Sequence, residues 1–205
     1  MNIILVNGHV GCLKTTLSYF LAANLKLGLV STSNLGYFTS DKNDPNFMKF
    51  RESRYDKLYL ITEEYLKNNV SVVLDGNFPY NKLRSKIFRL AEKYKAKNII
   101  SIKCISNNKS IVKRRLAFRK KNNLAPDSDA NSIDAYLNSV SKYEEFSNDL
   151  INNKKLSRIE FDSGKFSAKM ISSGSAYANE VLKIVEALIK QKFLEKPFFI
   201  EFEYE

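Results

Sequence analysis

The stretch NGHVGCLKTT, residues 7–16, decides how this chain is expected to fold. It directly follows the continuously apolar run Ile3–Val6, which is typical of a strand buried at the centre of a parallel sheet. Beyond it, apolar residues return at the spacing of one helix face, at Leu17, Phe20, Leu21 and Leu25. The stretch is therefore predicted to be the turn between a buried strand and an amphipathic helix.

This strand–turn–helix unit carries most of a phosphate-binding motif, G-x-x-x-x-G-K-[ST]. Gly8, Lys14 and Thr15 occupy the first glycine, the lysine and the hydroxyl positions. In such a loop, backbone N–H groups and the helix N-terminus bind phosphate oxygens, the lysine neutralises them and the hydroxyl coordinates Mg²⁺. The residues predicted to bind a nucleotide are Gly8, His9, Val10, Gly11, Cys12, Leu13, Lys14, Thr15 and Thr16. The alternative is an ordinary turn that happens to contain Lys-Thr.

Leu13 is the departure from this motif, because it stands where the second glycine is expected. Glycine lets the backbone adopt conformations that are closed to other residues. A leucine there either turns its side chain away from the loop or crowds the phosphates.

Two other residues of the loop, His9 and Cys12, are assigned no chemical role. His9 is expected to be a partly exposed loop residue rather than a general base, and Cys12 a small loop residue rather than a nucleophile.

Strand-like and helix-like patterns alternate along the chain. Strands are predicted over about residues 2–6, 29–33, 70–75, 98–105 and 158–161, and helices over about 14–27, 54–67, 82–94, 109–121, 132–151 and 176–193. Gly28 is expected to end the first helix, residues 34–50 to form an irregular loop, and the alternating last strand to lie at a sheet edge. The pattern predicts one three-layer α/β domain, residues 1–195, around a five-stranded parallel sheet.

Length, composition and cysteine content point to a cytoplasmic protein of one domain. A chain of 205 residues is short for two domains. It contains no apolar run of about eighteen residues and no basic region followed by a long apolar stretch, so neither a membrane span nor a secretion signal is expected. The two cysteines, Cys12 and Cys104, are far apart in sequence, which suits a reducing compartment.

The net charge of +11 raises the question of nucleic-acid binding. Of the 33 basic residues, 25 are lysines, and such a bias can follow from genome composition. More informative is the clustering of Arg114, Arg115 and Arg119 in the predicted helix 109–121. Arg115 and Arg119 are four residues apart and project from one helix face, which is either a phosphate-binding surface or a solvated basic surface. Phe118 is the only aromatic residue of that helix, so no base-stacking platform is evident.

Residues 196–205 form a C-terminal tail of unusual composition. Apolar and acidic side chains alternate there, so that they face opposite sides of an extended chain. The alternating residues are Ile200, Glu201, Phe202, Glu203, Tyr204 and Glu205. An extra edge strand is predicted, and contact with a second subunit in a homodimer is the alternative.

Taken together, these segments resemble the P-loop kinases of the group that contains polynucleotide kinase, zeta toxin and chloramphenicol phosphotransferase. The resemblance spans residues 1 to about 150 and rests on ILVNGHVGCLKTTL, VSVVLDGNF, the next helix with Arg84, and IVKRRLAFRKK followed by PDSDA. It implies the P-loop NTPase fold with strand order 2-3-1-4-5 and a short helical lid over about residues 109–131. It also implies transfer of the γ-phosphoryl group of ATP, with Mg²⁺, to an acceptor hydroxyl.

The resemblance implies roles for individual residues. Lys14 and the loop backbone would bind the phosphates, and Thr15 and Asp75 would hold Mg²⁺. Arg115 and Arg119 would neutralise charge on the transferring group. For Asp75 an alternative stays open, because Asp-Gly is also a common way to begin a turn after a strand.

One part of the family pattern is absent from this chain. Many members carry an aspartate and an arginine after the second strand, where this chain has Ser33 and Gly36 in VSTSNLGYF. Ser33 and Asn34 lack a carboxylate, and Asp41 in the next loop is the candidate substitute. The leading hypothesis is a phosphotransferase that acts on a hydroxyl of a small molecule or a nucleic-acid end. The alternatives are a non-catalytic nucleotide-binding protein and a nucleic-acid-binding module that uses the basic helix.

Overall fold

The structure is a computed structural model that describes residues 1–35, 47–122, 131–147 and 155–191. Its strands are β1 (Asn2–Gly8), β2 (Gly28–Ser31), β3 (Val72–Asp75), β4 (Asn98–Ile105), β5 (Leu156–Asp162) and β6 (Ser167–Ser172). Its helices are α1 (Lys14–Leu25), α2 (Phe47–Lys67), α3 (Asn81–Lys93), α4 (Lys109–Lys121), α5 (Ile133–Ser141) and α6 (Ala176–Lys190), and Thr32–Asn34 form a 3₁₀ turn. Strands and helices occur in the predicted order, including the two successive helices α4 and α5, except that an additional strand, β6, follows β5.

The strands of the described chain form one sheet in the order β2-β3-β1-β4-β5-β6. The first five run parallel in the expected order, which places β1 at the centre between β3 and β4. The predicted total of five strands is wrong, because β6 pairs antiparallel with β5. As a result, β5 is an interior strand and not the predicted edge strand, and its Phe161 is fully buried.

The sequence of β6, SAKMIS, gives little sign of a strand, because it is only six residues long and its apolar residues, Ala168, Met170 and Ile171, do not alternate strictly with polar ones. What forms the strand is a tight turn after β5. The Asp162 Oδ1 atom accepts hydrogen bonds from the N–H groups of Gly164 and Lys165 at 2.9 and 3.3 Å. Phe166 then adopts a left-handed backbone conformation with φ of 49°. This turn sends the chain back along the open edge of β5.

Several helix ends differ from the predicted ones. α2 begins at Phe47 rather than near residue 54. α1 ends at Leu25, its C-cap residue Lys26 adopts a left-handed conformation with φ of 53°, and Gly28 is the first residue of β2 instead of the helix stop. The helix predicted over 132–151 ends at Ser141. The chain beyond it, residues 143–147, is irregular because tertiary contacts hold it against α3.

The core has two apolar layers, one on each face of the sheet. Alternate residues of β1 supply both, with Ile4 and Val6 on one face and Ile3 and Leu5 on the other. The first layer packs against α1, α4, α5 and α6, and the second against α2 and α3. The predicted three-layer α/β architecture is therefore observed, and it leaves the carboxyl ends of the parallel strands at one edge of the sheet.

Some expectations fall outside the described residues: the lid segment 123–130, the loop that contains Gly36 and Asp41, and the tail 196–205. Within the described residues, no helix combines the length and the apolar character needed to cross a lipid bilayer.

Candidate active site

The N–H groups at the turn between β1 and α1 fall into two sets. Those of residues 8–10 are hydrogen-bonded to other parts of the fold, and residues 7–10 are called the anchored half of the loop. Those of residues 11–16 have no partner in the described part of the chain. Gly8 N–H donates to the Asn77 carbonyl at 3.2 Å, and His9 N–H to the Cys104 carbonyl at 3.1 Å. Val10 N–H donates to the Ser139 hydroxyl at 3.1 Å. Consecutive unpaired N–H groups at a helix N-terminus form an anion-binding surface.

Leu13 adopts the conformation that a glycine would supply at this position. It is the N-cap residue of α1 and has φ of 62° and ψ of 22°, in the left-handed region. This conformation costs roughly 1–2 kcal/mol in a residue that has a Cβ atom. The Leu13 side chain is half-buried and packs against the core layer that contains α1. The side chain is thus placed in the core, and the loop keeps its shape without the second glycine.

The Lys14 ammonium group reaches back across the loop. Its Nζ atom donates to the His9 carbonyl at 2.7 Å. Burial lowers the pKa of Lys14, and the negative charge of Asp75 opposes this effect. The Lys14 ammonium group therefore lies against the loop, near the carboxyl end of β3.

Asp75 turns its carboxylate toward the loop. Parallel pairing places Asp75 beside Val6, and the Thr15 hydroxyl donates to Asp75 Oδ2 at 2.8 Å. The Ser31 hydroxyl donates to the same oxygen at 2.6 Å. Asp75 is 2% exposed, and its Oδ1 atom is buried without a hydrogen-bond partner. The structure thus joins Asp75 to Thr15, whereas the sequence alone also allowed a simple Asp-Gly turn.

This oxygen set is of the kind that suits Mg²⁺. Mg²⁺ is bound through one or two carboxylates together with phosphate oxygens and water. The buried Asp75 Oδ1 atom has no partner, and the Thr15 hydroxyl lies on the same carboxylate. Within the described ranges, no group of three or more His, Cys, Asp or Glu side chains could hold a metal ion by itself. A metal ion here would therefore need the oxygens of a bound phosphate as well.

The two arginines on one face of α4 have different surroundings. Arg115 donates to the Ser163 hydroxyl at 3.0 Å and to the Ser163 carbonyl at 2.8 Å, and its guanidinium lies 5.5 Å from the Phe166 ring centre. A longer contact of 3.5 Å joins it to the Gly11 carbonyl. Arg119 is half-buried, burial lowers its pKa, and its charge contributes to the lowered pKa of Lys14. Arg115 therefore contacts the loop at Gly11, whereas Arg114 is exposed.

His9 is buried, in contrast to the partly exposed position expected from the sequence. It is 7% exposed, and its ring lies edge-on to the rings of Tyr136 and Tyr143, at 6.1 and 5.4 Å between centres. Burial, followed by the charges of Lys103 and Lys14, lowers the pKa of His9 to about 4. Cys12 is fully buried, and burial raises the pKa of its thiol, which opposes a role as nucleophile.

The neutral state of His9 makes the stability of the fold dependent on pH. The folded pKa of about 4 lies below the usual histidine pKa of 6.5, so the unfolded chain binds the proton first. The stability contributed by neutral His9 is full above pH 6.5 and is lost progressively as the pH falls toward 4. We expect this loss to reach up to about 3 kcal/mol. Urea unfolding at pH 7 and pH 4.5 measures it, and in His9→Asn the acid loss is expected to be smaller by most of that amount. Equal acid losses in the two proteins would contradict the assignment.

Several contacts of this site have no signal in the sequence. Ser31 and Ser139 are ordinary serines in a strand and a helix, yet they bond Asp75 and the loop. Tyr143 lies in a segment predicted to be helical, yet its hydroxyl donates to the buried Asn7 side chain. Ser33, which stands where many of the resembled kinases carry an aspartate, lies close to this group: its hydroxyl is 2.6 Å from that of Ser31.

No model of a known protein family and no curated protein matches the chain, but solved structures do. A proposed kinase from Chloroflexus aurantiacus is 18% identical, with a TM-score of 0.63 over 89% of this chain and 97% of that one. A sugar kinase from Janibacter is 14% identical, with a TM-score of 0.57 over 91% of each chain. A fungal RNA kinase is 15% identical, with a TM-score of 0.51 over 98% of this chain and 92% of that one. At these identities the similarity shows the fold alone, and the fold is that of the P-loop kinases.

Proposed function

We propose that the chain binds ATP with Mg²⁺ and transfers the γ-phosphoryl group to a hydroxyl of a small molecule or a nucleic-acid end. The observation that carries this proposal is the hydrogen bond from the Thr15 hydroxyl to Asp75, whose other carboxylate oxygen, Oδ1, is buried without a partner. The negative charge of Asp75 also acts on the Lys14 ammonium group. A buried carboxylate with an unpaired oxygen is costly unless a ligand or metal ion completes it. The free N–H groups of residues 11–16 supply the matching surface for phosphate.

Each residue of the site has a role in the proposed transfer. Lys14 exchanges its contact with the His9 carbonyl for the β- and γ-phosphates, and Thr15 and Asp75 hold the metal ion. Mg²⁺, when bound, neutralises charge on the phosphate oxygens. Arg119 has no hydrogen bond or ion pair among the described residues, so its guanidinium is free to bind the transferring group. Arg115 would have to give up Ser163 to do the same.

The similar structures support the class of reaction but leave the acceptor open. One of them is a sugar kinase and another an RNA kinase, so the same fold acts on different hydroxyls. Of the four residues that the structure describes directly after β2, Thr32 and Ser33 carry hydroxyls, Asn34 an amide and Leu35 an apolar side chain. Because no carboxylate is among them, the second candidate function is nucleotide binding without transfer.

Nucleotide binding is tested by thermal unfolding with and without Mg·ATP. At one hundred times its Kd, a ligand stabilises the folded protein by about 2.7 kcal/mol. We expect that gain in the native protein and its loss in Lys14→Ala. The matched control is Lys113→Ala, an exposed lysine of α4, which should keep the full gain. An equal gain in Lys14→Ala, or none in the native protein, would rule out the proposed site.

Transfer is separated from binding with γ-labelled ATP and a panel of sugars, nucleosides and oligonucleotides with free hydroxyl ends. Label in an acceptor, absent with Lys14→Ala, identifies a kinase and the class of its substrate. Binding of Mg·ATP without label in any acceptor supports the second candidate function. A nucleic-acid-binding module would instead bind the oligonucleotides without ATP, with an affinity that falls steeply as salt is added.

A further inference from the structure

The anchored half of the loop is held largely by α5 and the residues that follow it. Ser139 has its hydroxyl orientation set within the helix, because it donates to the Tyr136 carbonyl at 2.7 Å. The oxygen of that hydroxyl is then left to accept, and it accepts the Val10 N–H at 3.1 Å. This hydrogen bond joins the loop to a helix 129 residues further along the chain.

Aromatic contacts hold the same part of the loop. The buried His9 ring lies edge-on to Tyr136 of α5 and to Tyr143 just beyond it. The Tyr143 hydroxyl donates to the Asn7 side-chain oxygen. Asn7 is itself fully buried and donates to the Ser101 hydroxyl of β4 at 2.8 Å. Residues 7–10 are therefore enclosed by side chains from α5, from the segment after it and from β4.

His9 connects these contacts to Lys14, the lysine of the site. The His9 carbonyl is the acceptor for Lys14 Nζ at 2.7 Å, so the position of His9 sets where the ammonium group rests. His9 in turn is placed by the two tyrosines and by its N–H bond to the Cys104 carbonyl. The contacts form one continuous path from α5 to Lys14.

We propose that α5 and the segment that follows it position the loop for nucleotide binding, with Ser139 of α5 and Tyr143 of that segment as the positioning residues. They hold residues 7–10 in place, so that Lys14 and the free N–H groups of residues 11–16 are ordered before the phosphates arrive. A loop that is ordered in advance loses less conformational entropy on binding, which raises affinity. This inference rests on the proposed function, because it requires that the loop binds Mg·ATP.

The decisive variant is Ser139→Ala in the full chain, with Mg·ATP binding measured by titration calorimetry. Loss of one hydrogen bond is expected to raise the Kd about fivefold. Ser139→Thr keeps the hydroxyl and should restore most of the affinity. The matched control is Ser141→Ala: Ser141 is an exposed residue of the same helix whose hydroxyl also donates to the carbonyl three residues earlier, that of Asn138, but does not bond the loop. Tyr143→Phe should raise the Kd in the same direction as Ser139→Ala.

Stability in the absence of nucleotide separates positioning from a merely structural contact. If Ser139→Ala lowers the stability of the free protein while its Kd for Mg·ATP stays that of the native chain, the positioning role is overturned. The same holds if Ser141→Ala raises the Kd as much as Ser139→Ala. If the native chain itself does not bind Mg·ATP, the proposed function fails first and the positioning role fails with it. Native binding with a normal Kd in Ser139→Ala and Tyr143→Phe overturns the positioning role alone.

Discussion

Replacement of Gly8 by alanine is expected to lower the free energy of unfolding by about 4 kcal/mol or more. Gly8 has φ of 120°, a conformation that residues with a side chain rarely adopt. A Cβ atom at this position would lie 2.2 Å from the carbonyl oxygen of Cys104, in the backbone of the neighbouring strand β4. Backbone strain contributes about 1–3 kcal/mol and overpacking a similar amount. The first glycine of the motif is therefore required by the packing of the sheet itself.

Gly11→Ala is the matched comparison within the same loop. Gly11 has φ of 75°, and a Cβ atom there would meet side-chain atoms of Val112 and Leu116 at 3.1 and 3.2 Å. Side chains can shift where a backbone carbonyl within a sheet cannot. The expected loss for Gly11→Ala is therefore about 1–2 kcal/mol, mostly from strain. Urea unfolding of the two variants measures the difference, and equal losses would show that the contact with β4 is not what demands glycine at position 8.

Arg84→Met is the second change with a large expected effect, a loss of about 4 kcal/mol in the free energy of unfolding. Arg84 is a fully buried residue of α3. Its guanidinium donates to the carbonyls of Phe78 and Glu144, both at 2.6 Å. Its further contacts are the Asn81 side chain at 2.8 Å and the rings of Tyr143 and Phe146, whose centres lie 5.0 and 4.7 Å away.

Methionine fills much of the space of arginine but donates no hydrogen bond. Each buried acceptor left without a donor costs about 1–3 kcal/mol, and each desolvated contact of the cation with a ring contributes up to about 2 kcal/mol. The control is Arg89→Met, at an exposed position of the same helix, for which a change within about 0.5 kcal/mol is expected. Denaturant unfolding of both variants tests the prediction. A loss in Arg84→Met no larger than in Arg89→Met would mean that residues 143–147 are held by other contacts.

Arg84 also connects the stability of the fold to the site. The segment it holds contains Tyr143, whose hydroxyl bonds Asn7 at the start of the loop. Burial lowers the pKa of Arg84, but its usual pKa is so high that the group stays charged. Among the described residues Arg84 forms no ion pair, so its buried charge is stable only while the surrounding carbonyls and rings remain in place. The prediction for Arg84 is therefore also a test of how residues 143–147 are fixed.

The order of the five parallel strands was expected from the resemblance to P-loop kinases. The sequence by itself determined the strand–loop–helix unit and the candidate residues of its loop. Local signals suffice for these features: an apolar run, helical spacing, Gly8, and Lys14 with Thr15 at the start of a helix. The bounds of α4 and β4 were also predicted correctly, because polar residues flank each element on both sides.

Only the tertiary structure decided how Leu13, His9 and Arg115 are used. Leu13 can hold a left-handed conformation because the core accepts its side chain. His9 is buried because two tyrosines from distant parts of the chain enclose it, and Arg115 is bonded to Ser163 because β5 ends beside the loop. The antiparallel strand β6 likewise depends on the edge of β5 that it pairs with. These features depend on which distant segments meet, and the periodicity of a single segment carries no information about its partners.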